Sequence, residues 1–305
     1  MDKAEIYALC DNQKPILIAG ATASGKSSLA IDLAKKFNGV VVNADALQVY
    51  QSWSILTARP PKEDLVQAPH CLYGHIPLLS DYSSGHWVRE IKELIPALKA
   101  EKLRPIIVGG TGLYFKALTD GLANIPEISD ETRLAANRLQ AQNGSGVFAQ
   151  MLNEEVPEAL NHLDRSNPKR TMRAWEVWHE TGKPLHEWHK EMPPPPLPLK
   201  DTVPLLLTHE VDWLNARIEK RFDLMLQSGA IEECHDVLDN HLWDKSHPSC
   251  KAIGAYEIVQ HIKGNMTLDD ARTSATAQTR RYAKRQRTWA RSKMASWHKI
   301  PAESL

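Results

Sequence analysis

Long apolar runs, paired cysteines and an excess of either charge are all missing from this 305-residue chain. Each absence removes a class of protein. No run nears the roughly 18 apolar residues of a membrane span, so no membrane role is expected. Cys10, Cys71, Cys234 and Cys250 are scattered with no C-x-x-C pair. That argues against a zinc site or a disulfide framework and predicts a reducing, cytoplasmic setting. The opening MDKAEIYALCDNQK is polar and acidic, unlike a signal or transit peptide. Aromatics are only 7%, yet 42% apolar residues suffice for a full core. The length suits two parts at roughly 100–200 residues per domain. Nothing in the sequence calls for more than a monomer.

The balance of charge, 37 basic against 37 acidic residues, hides one local absence. Residues 271–300 hold nine lysines and arginines and no aspartate or glutamate. On a helix, Arg280, Lys284, Arg287 and Arg291 form one stripe, flanked by Arg281 and Arg285, with Tyr282, Gln286 and Trp289 in a neighbouring row. No acid lies one turn away within the segment, so the stripe repels itself unless a polyanion neutralises it. A solvated face is the plain reading and nucleic acid the sharper one.

Short apolar runs ILIAG (Ile16–Gly20), VVV (Val40–Val42), PIIV (Pro105–Val108) and VPLLLT (Val203–Thr208) read as buried parallel strands. They alternate with helical stretches at Ser27–Phe37 and Gly85–Ala100. The pattern predicts an α/β fold, a P-loop NTPase-like parallel sheet flanked by helices. From Pro126 the character turns helical, and MPPPPLP (Met192–Pro198) is an extended linker, because proline lacks the donor that helix and sheet both need. The expected organisation is a core over 1–122, a helical insert domain over 123–198, and 199–305 returning to the sheet. All that follows Asp212 reads as helical.

Gly20, Ala21, Thr22, Ala23, Ser24, Gly25, Lys26 and Ser27 match G-x-x-x-x-G-K-[ST], a phosphate-binding P-loop between strand and helix. Its backbone N–H groups converge on phosphate, Lys26 neutralises charge and Ser27 can ligate Mg²⁺. The helix start adds its positive end. Asp45 lies at the end of the second strand on the same sheet edge, as Mg²⁺ ligand, general base or helix N-cap. Gly109-Gly110-Thr111-Gly112 closes the third strand there. It presents Thr111 to a ligand or simply caps the next helix.

Together GATASGKS (Gly20–Ser27), NADALQVY (Asn43–Tyr50), TARP (Thr57–Pro60), GGTGLY (Gly109–Tyr114), NPKRTMRAWEV (Asn167–Val177), AIG (Ala252–Gly254) and TRRYAKRQRTW (Thr279–Trp289) resemble the tRNA dimethylallyltransferase (isopentenyl-tRNA transferase) family of bacterial type. They follow the family's order over most of the chain. Ala21 stands where that family usually has proline, Ala46 for serine, Cys71 for the second of two histidines and Lys169 for glutamine. The resemblance implies transfer of a dimethylallyl group from dimethylallyl diphosphate to N6 of adenosine 37 in the tRNA anticodon stem-loop. It implies Asp45 as the base, Thr111 on the diphosphate or the adenine amine, and the P-loop on the diphosphate. Asp45, Ala46, Leu47 and Gln48 would line the adenosine site, and Arg133 would contact substrate. Lys169, Arg170, Thr171, Met172 and Arg173, with Arg280, Lys284 and Arg287, would grip the RNA. Two other readings remain at this stage: an ATP-dependent small-molecule kinase, and a non-catalytic RNA-binding module.

Overall fold

The computed structural model describes residues 1–305. Six strands form one sheet: β1 (Ile16–Gly20), β2 (Gly39–Asn43), β3 (His70–Cys71), β4 (Arg104–Gly109), β5 (Val203–Thr208) and β6 (His298–Pro301). Their order is β3-β2-β4-β1-β5-β6 and every neighbouring pair is parallel. Crossover helices cover both faces, which is why Ile16, Leu17, Ile18, Ile106 and Ile107 are all fully buried. The carboxyl ends of β1, β2, β4 and β5 therefore meet on one edge.

The chain divides into two compact units, residues 1–119 with 196–305, and residues 120–195. The first unit holds α1 (Lys3–Leu9), α2 (Lys26–Lys36), α3 (Lys62–Leu65), α4 (Ser84–Ala100) and nearly all of α5 (Gly112–Asp120). The second is all helical, with α6 (Asp130–Asn143), α7 (Val147–Glu155), α8 (Pro168–Thr181) and α9 (Leu185–Lys190). Its core joins Phe148, Leu152, Leu160 and Trp175. The chain then returns through β5, which pairs with β1, to α10 (Val211–Gln227), α11 (Ala230–Asp239), α12 (Ala255–Ile262) and α13 (Leu268–Lys293). No helix is long and apolar enough to cross a membrane.

The expectation of an all-helical chain after Asp212 is corrected by β6, an edge strand of four residues. Only Ile300 of the four is buried, so apolar periodicity had nothing to register.

Two contacts shape the working edge of the sheet. Trp87 on α4 donates its indole N–H to Asn43 O at 2.8 Å and stacks on Tyr114 of α5 at 4.5 Å, fixing the end of β2. At the end of β4, a Cβ on Gly109 would sit 2.0 Å from Ala44 O, so only glycine lets the two chain segments pass.

The loop after β2 is anchored from the far side. Glu233 on α11, only 8% exposed, accepts from the N–H groups of Ser54 (2.6 Å), Ile55 (2.8 Å) and Leu56 (3.0 Å) and from Ser54 Oγ. Glu233→Gln leaves one acceptor oxygen for these donors. It is expected to lower stability by roughly 1–3 kcal/mol in urea unfolding. An unchanged midpoint would mean that apolar packing alone holds the loop.

Candidate active site

The P-loop leaves β1 at Gly20 and enters α2 at Lys26. Ala23 (φ 63°) and Gly25 (φ 92°) take the left-handed conformation that turns successive N–H groups to one side. Gly25 caps α2 without any side-chain hydrogen bond, so the helix's first N–H groups stay available for an anion.

The loop is crowded with cations. Lys26 Nζ donates to Ala21 O at 2.7 Å. On α10, Arg217 Nε donates to Ala23 O at 2.9 Å and Arg221 Nη1 to Thr22 Oγ1 at 3.2 Å. Burial drives the Lys26 ammonium down to about 8; Asp45 opposes this and Arg221 adds to it. Arg221 is likewise lowered by burial, with Asp45 opposing.

Asp45 is held by its neighbours. Its N–H donates to Asn43 Oδ1 (2.9 Å), and Asn43 Nδ2 donates to Asp45 O (3.0 Å) and Leu72 O (3.0 Å). Its Oδ1 accepts from Leu47 N–H at 3.0 Å, which aims the second oxygen elsewhere. No helix starts here, so the N-cap reading of Asp45 is set aside. Thr111 caps no helix with its side chain either: Oγ1 accepts from Ala46 N–H at 3.0 Å, joining the ends of β4 and β2. Gln48 donates to Thr57 O (2.8 Å) and Ala58 O (2.9 Å), tying the TARP segment to the site.

Three cavities meet at this edge. One of about 90 Å³ is lined by Thr22, Lys26, Ser27, Asp45, Gln48 and Arg221. A neighbouring one of about 80 Å³ is mostly apolar, with Asp45, Leu47, Leu56, Ile218, Phe222 and Met225. The third, about 510 Å³, lies between the ends of β1, β4 and β5 and α13, with Thr111, Phe115, Tyr282, Arg285, Arg287 and Trp289 on its walls. Asp45 lines the first two, and Tyr282 lines the second and third. Burial raises the Tyr282 hydroxyl; Asp45 adds to that, while Arg285 and hydrogen bonds with Thr111 and Gln286 oppose it.

The P-loop, Asp45, Ala46, Leu47, Gln48 and Thr111 are thus gathered at one edge. Sequence reasoning missed Arg217 and Arg221, although their spacing of four on one helix was a usable signal. It noted Tyr282, Gln286 and Trp289 as a row but gave them no role.

The charge stripe needs a correction. Arg272 pairs with Asp223 (2.5 Å) and Arg280 with Glu219, both acids on α10. Compensation comes across space rather than along the helix. Lys284, Arg281 and Arg285 remain exposed.

In the helical unit, Lys169, Arg170 and Arg173 are exposed on the first turns of α8. Thr171 is corrected: it is 1% exposed and its hydroxyl donates to Pro168 O at 3.1 Å, so it serves the helix rather than a surface. Met172 packs partly against that unit's core, and Arg133 lies in α6, 3.8 Å from Asp130.

Lysine ordinarily titrates near 10.5, and a bound anion restores that preference for the charged form. NMR of labelled lysine side chains should show one titrating near 8, absent from Lys26→Met and shifted upward by inorganic diphosphate. A Lys26 resonance at the ordinary value in the free protein would mean that burial does not desolvate this ammonium.

The same edge can be compared with known proteins. A family profile described as IPP transferase matches residues 48–293, and one described as isopentenyl transferase matches 14–73. A tRNA dimethylallyltransferase of Cereibacter sphaeroides is 48% identical over 289 residues, covering 95% of this chain and 89% of that protein. The crystal structure of a tRNA isopentenylpyrophosphate transferase from Bacillus halodurans is 30% identical with a TM-score of 0.68, covering 95% of this chain and 90% of that one. A eukaryotic dimethylallyltransferase studied acting on tRNA is 27% identical with a TM-score of 0.81, covering 95% and 74%. With a profile match over most of its length and such identity to its relatives, this chain belongs to the IPP transferase family.

Proposed function

We propose that the chain transfers a dimethylallyl group from dimethylallyl diphosphate to N6 of adenosine 37 in tRNA, releasing diphosphate. The observation that carries this reading is Asp45, which lines both the cationic cavity at the P-loop and the apolar one beside it. The diphosphate fits the first, against the loop N–H groups, Lys26 and Arg221. The five-carbon chain fits the second, among Leu47, Ile218 and Phe222. The adenine enters from the large cavity, whose rim carries Arg285, Arg287, Arg291 and Lys299. A tRNA substrate argues for a cytoplasmic setting.

An adenine amine is a poor nucleophile because its lone pair is delocalised into the ring. In this scheme the N6 lone pair forms the new carbon–nitrogen bond while the allylic carbon–oxygen bond breaks. The electron pair of that bond leaves with the diphosphate, and the N6 proton passes to Asp45. Fixed N–H dipoles, Lys26 and Arg221 stand where the leaving charge grows. Mg²⁺ suits the cavity, which offers the Ser27 hydroxyl and the Asp45 carboxylate and no thiol or imidazole. Held by Ser27 and the diphosphate, it would supply further positive charge to the leaving group. Drawing the base out of its loop costs a few kcal/mol, and basic side chains on the RNA backbone offset this. Lys169, Arg170 and Arg173 are offered as further RNA contacts, and Arg133 as a substrate contact.

Protein, Mg²⁺, radiolabelled dimethylallyl diphosphate and an anticodon stem-loop RNA should together yield labelled RNA. Phosphate transfer from ATP to a small acceptor, with the RNA unlabelled, would reverse the assignment in favour of a kinase. Asp45→Asn should keep RNA binding and slow single-turnover transfer by roughly 10²–10⁴-fold. Undiminished turnover would exclude Asp45 as the base. Replacing Lys284, Arg285 and Arg287 together should weaken RNA binding and flatten its salt dependence by about 2 in log–log slope. Arg280 is left out because Glu219 already neutralises it. An unchanged slope would return α13 to the role of a solvated face.

A further inference from the structure

Gln286 is the only side chain of α13 that hydrogen-bonds both glycine-rich loops. Its Oε1 accepts from Thr22 N–H at 2.9 Å, and its Nε2 donates to Gly110 O at 3.0 Å. One amide thus bridges the P-loop to the turn after β4. The turn is built for it: a Cβ on Gly110 would lie 2.2 Å from Gln286 Nε2, and one on Gly112 would lie 2.2 Å from the Trp289 ring. Tyr282, one turn earlier, lines the same cavity wall as Thr111 and Gln286. This row of α13 is half-buried against the loops, while Lys284 and Arg281 are exposed.

The P-loop segment is also gripped from α10, through Arg221 to Thr22 Oγ1 and Arg217 to Ala23 O. The ion pairs of Arg272 with Asp223 and Arg280 with Glu219 zip α10 to α13. Displacing α13 therefore pulls on Thr22 through two routes.

From this geometry we infer that Gln286 is a positioning residue that couples RNA held on α13 to diphosphate held in the P-loop. This rests on the function proposed above. The first ligand to bind bears the entropic cost of fixing α13 and the amide bridge, so the second binds to a loop already ordered. Coupling of this kind is positive and reciprocal: RNA tightens diphosphate, and diphosphate tightens RNA by the same factor.

The test measures the Kd of inorganic diphosphate by calorimetry, without and with a saturating anticodon stem-loop RNA. In the wild type the RNA is expected to tighten diphosphate at least about five-fold and to slow hydrogen exchange at the Thr22 amide. In Gln286→Ala both effects should fall below about two-fold, while each ligand alone still binds. Gln286→Glu serves as the conservative variant, because it keeps an oxygen for Thr22 N–H but offers no proton to Gly110 O. It should retain diphosphate binding with the coupling reduced to less than half. Wild-type coupling in either variant, or none in the wild type although both probes bind, overturns the role of Gln286. Failure of the wild type to bind either probe would instead sink the proposed function, and this inference with it.

Discussion

Cations withdrawn from water are the constraint around which the site is organised. Lys26 and Arg221, joined from the exposed side by Arg217, converge on a loop of five residues, 21–25, and Asp45 is the one carboxylate lining the cavity that Lys26 and Arg221 share. Burial lowers the Lys26 ammonium, and Arg221 adds to that against the opposing Asp45. A protein gains no stability from gathering desolvated like charges, so such a cluster makes sense only as half of a pair whose other half is a multiply charged anion. The uncapped start of α2 has the same character, presenting a positive end that no side chain satisfies.

The parallel sheet makes that arrangement rigid. Because β2, β4 and β1 are successive neighbours in the sheet, the segments that leave them meet at one edge. The turn after β4 is tied to the loop after β2 by Ala46 N–H to Thr111 Oγ1 and Thr111 N–H to Ala44 O, and to the P-loop through Gln286, which bonds both Thr22 and Gly110. The glycines of the turn after β4 follow from this crowding, since Ala44, Gln286 and Trp289 fill the places where side chains would stand. On sequence alone those glycines suggested room for a ligand. What they make room for directly is protein.

What could be read in advance follows the range of the interactions. The P-loop, the four long strands and the position of Asp45 are set by residues adjacent in the chain, so spacing revealed them. Arg217 and Arg221 belong to the site only because α10 follows β5, the immediate neighbour of β1, a fact of strand order that no local pattern carries. The pairing of Arg272 and Arg280 with Asp223 and Glu219 was invisible for the same reason, and the acid-free segment looked less compensated than it is. β6 escaped because an edge strand with one buried residue has almost no periodicity. Thr171 shows the converse failure, a residue inside a basic motif whose own side chain is enclosed.

A phosphate cradle alone does not choose between a nucleotide and an allylic ester, since both bring a diphosphate. The choice falls to what lies beside it. Leu47, Leu56, Ile218, Phe222 and Met225 line one side of a cavity of about 80 Å³ next to Asp45, an apolar wall suited to a short branched hydrocarbon. Burying five carbons there contributes on the order of 4 kcal/mol at about 0.8 kcal/mol per carbon. The preference for a prenyl donor therefore rests on apolar side chains drawn from the β2 loop and α10, next to a loop whose own chemistry is indifferent to it.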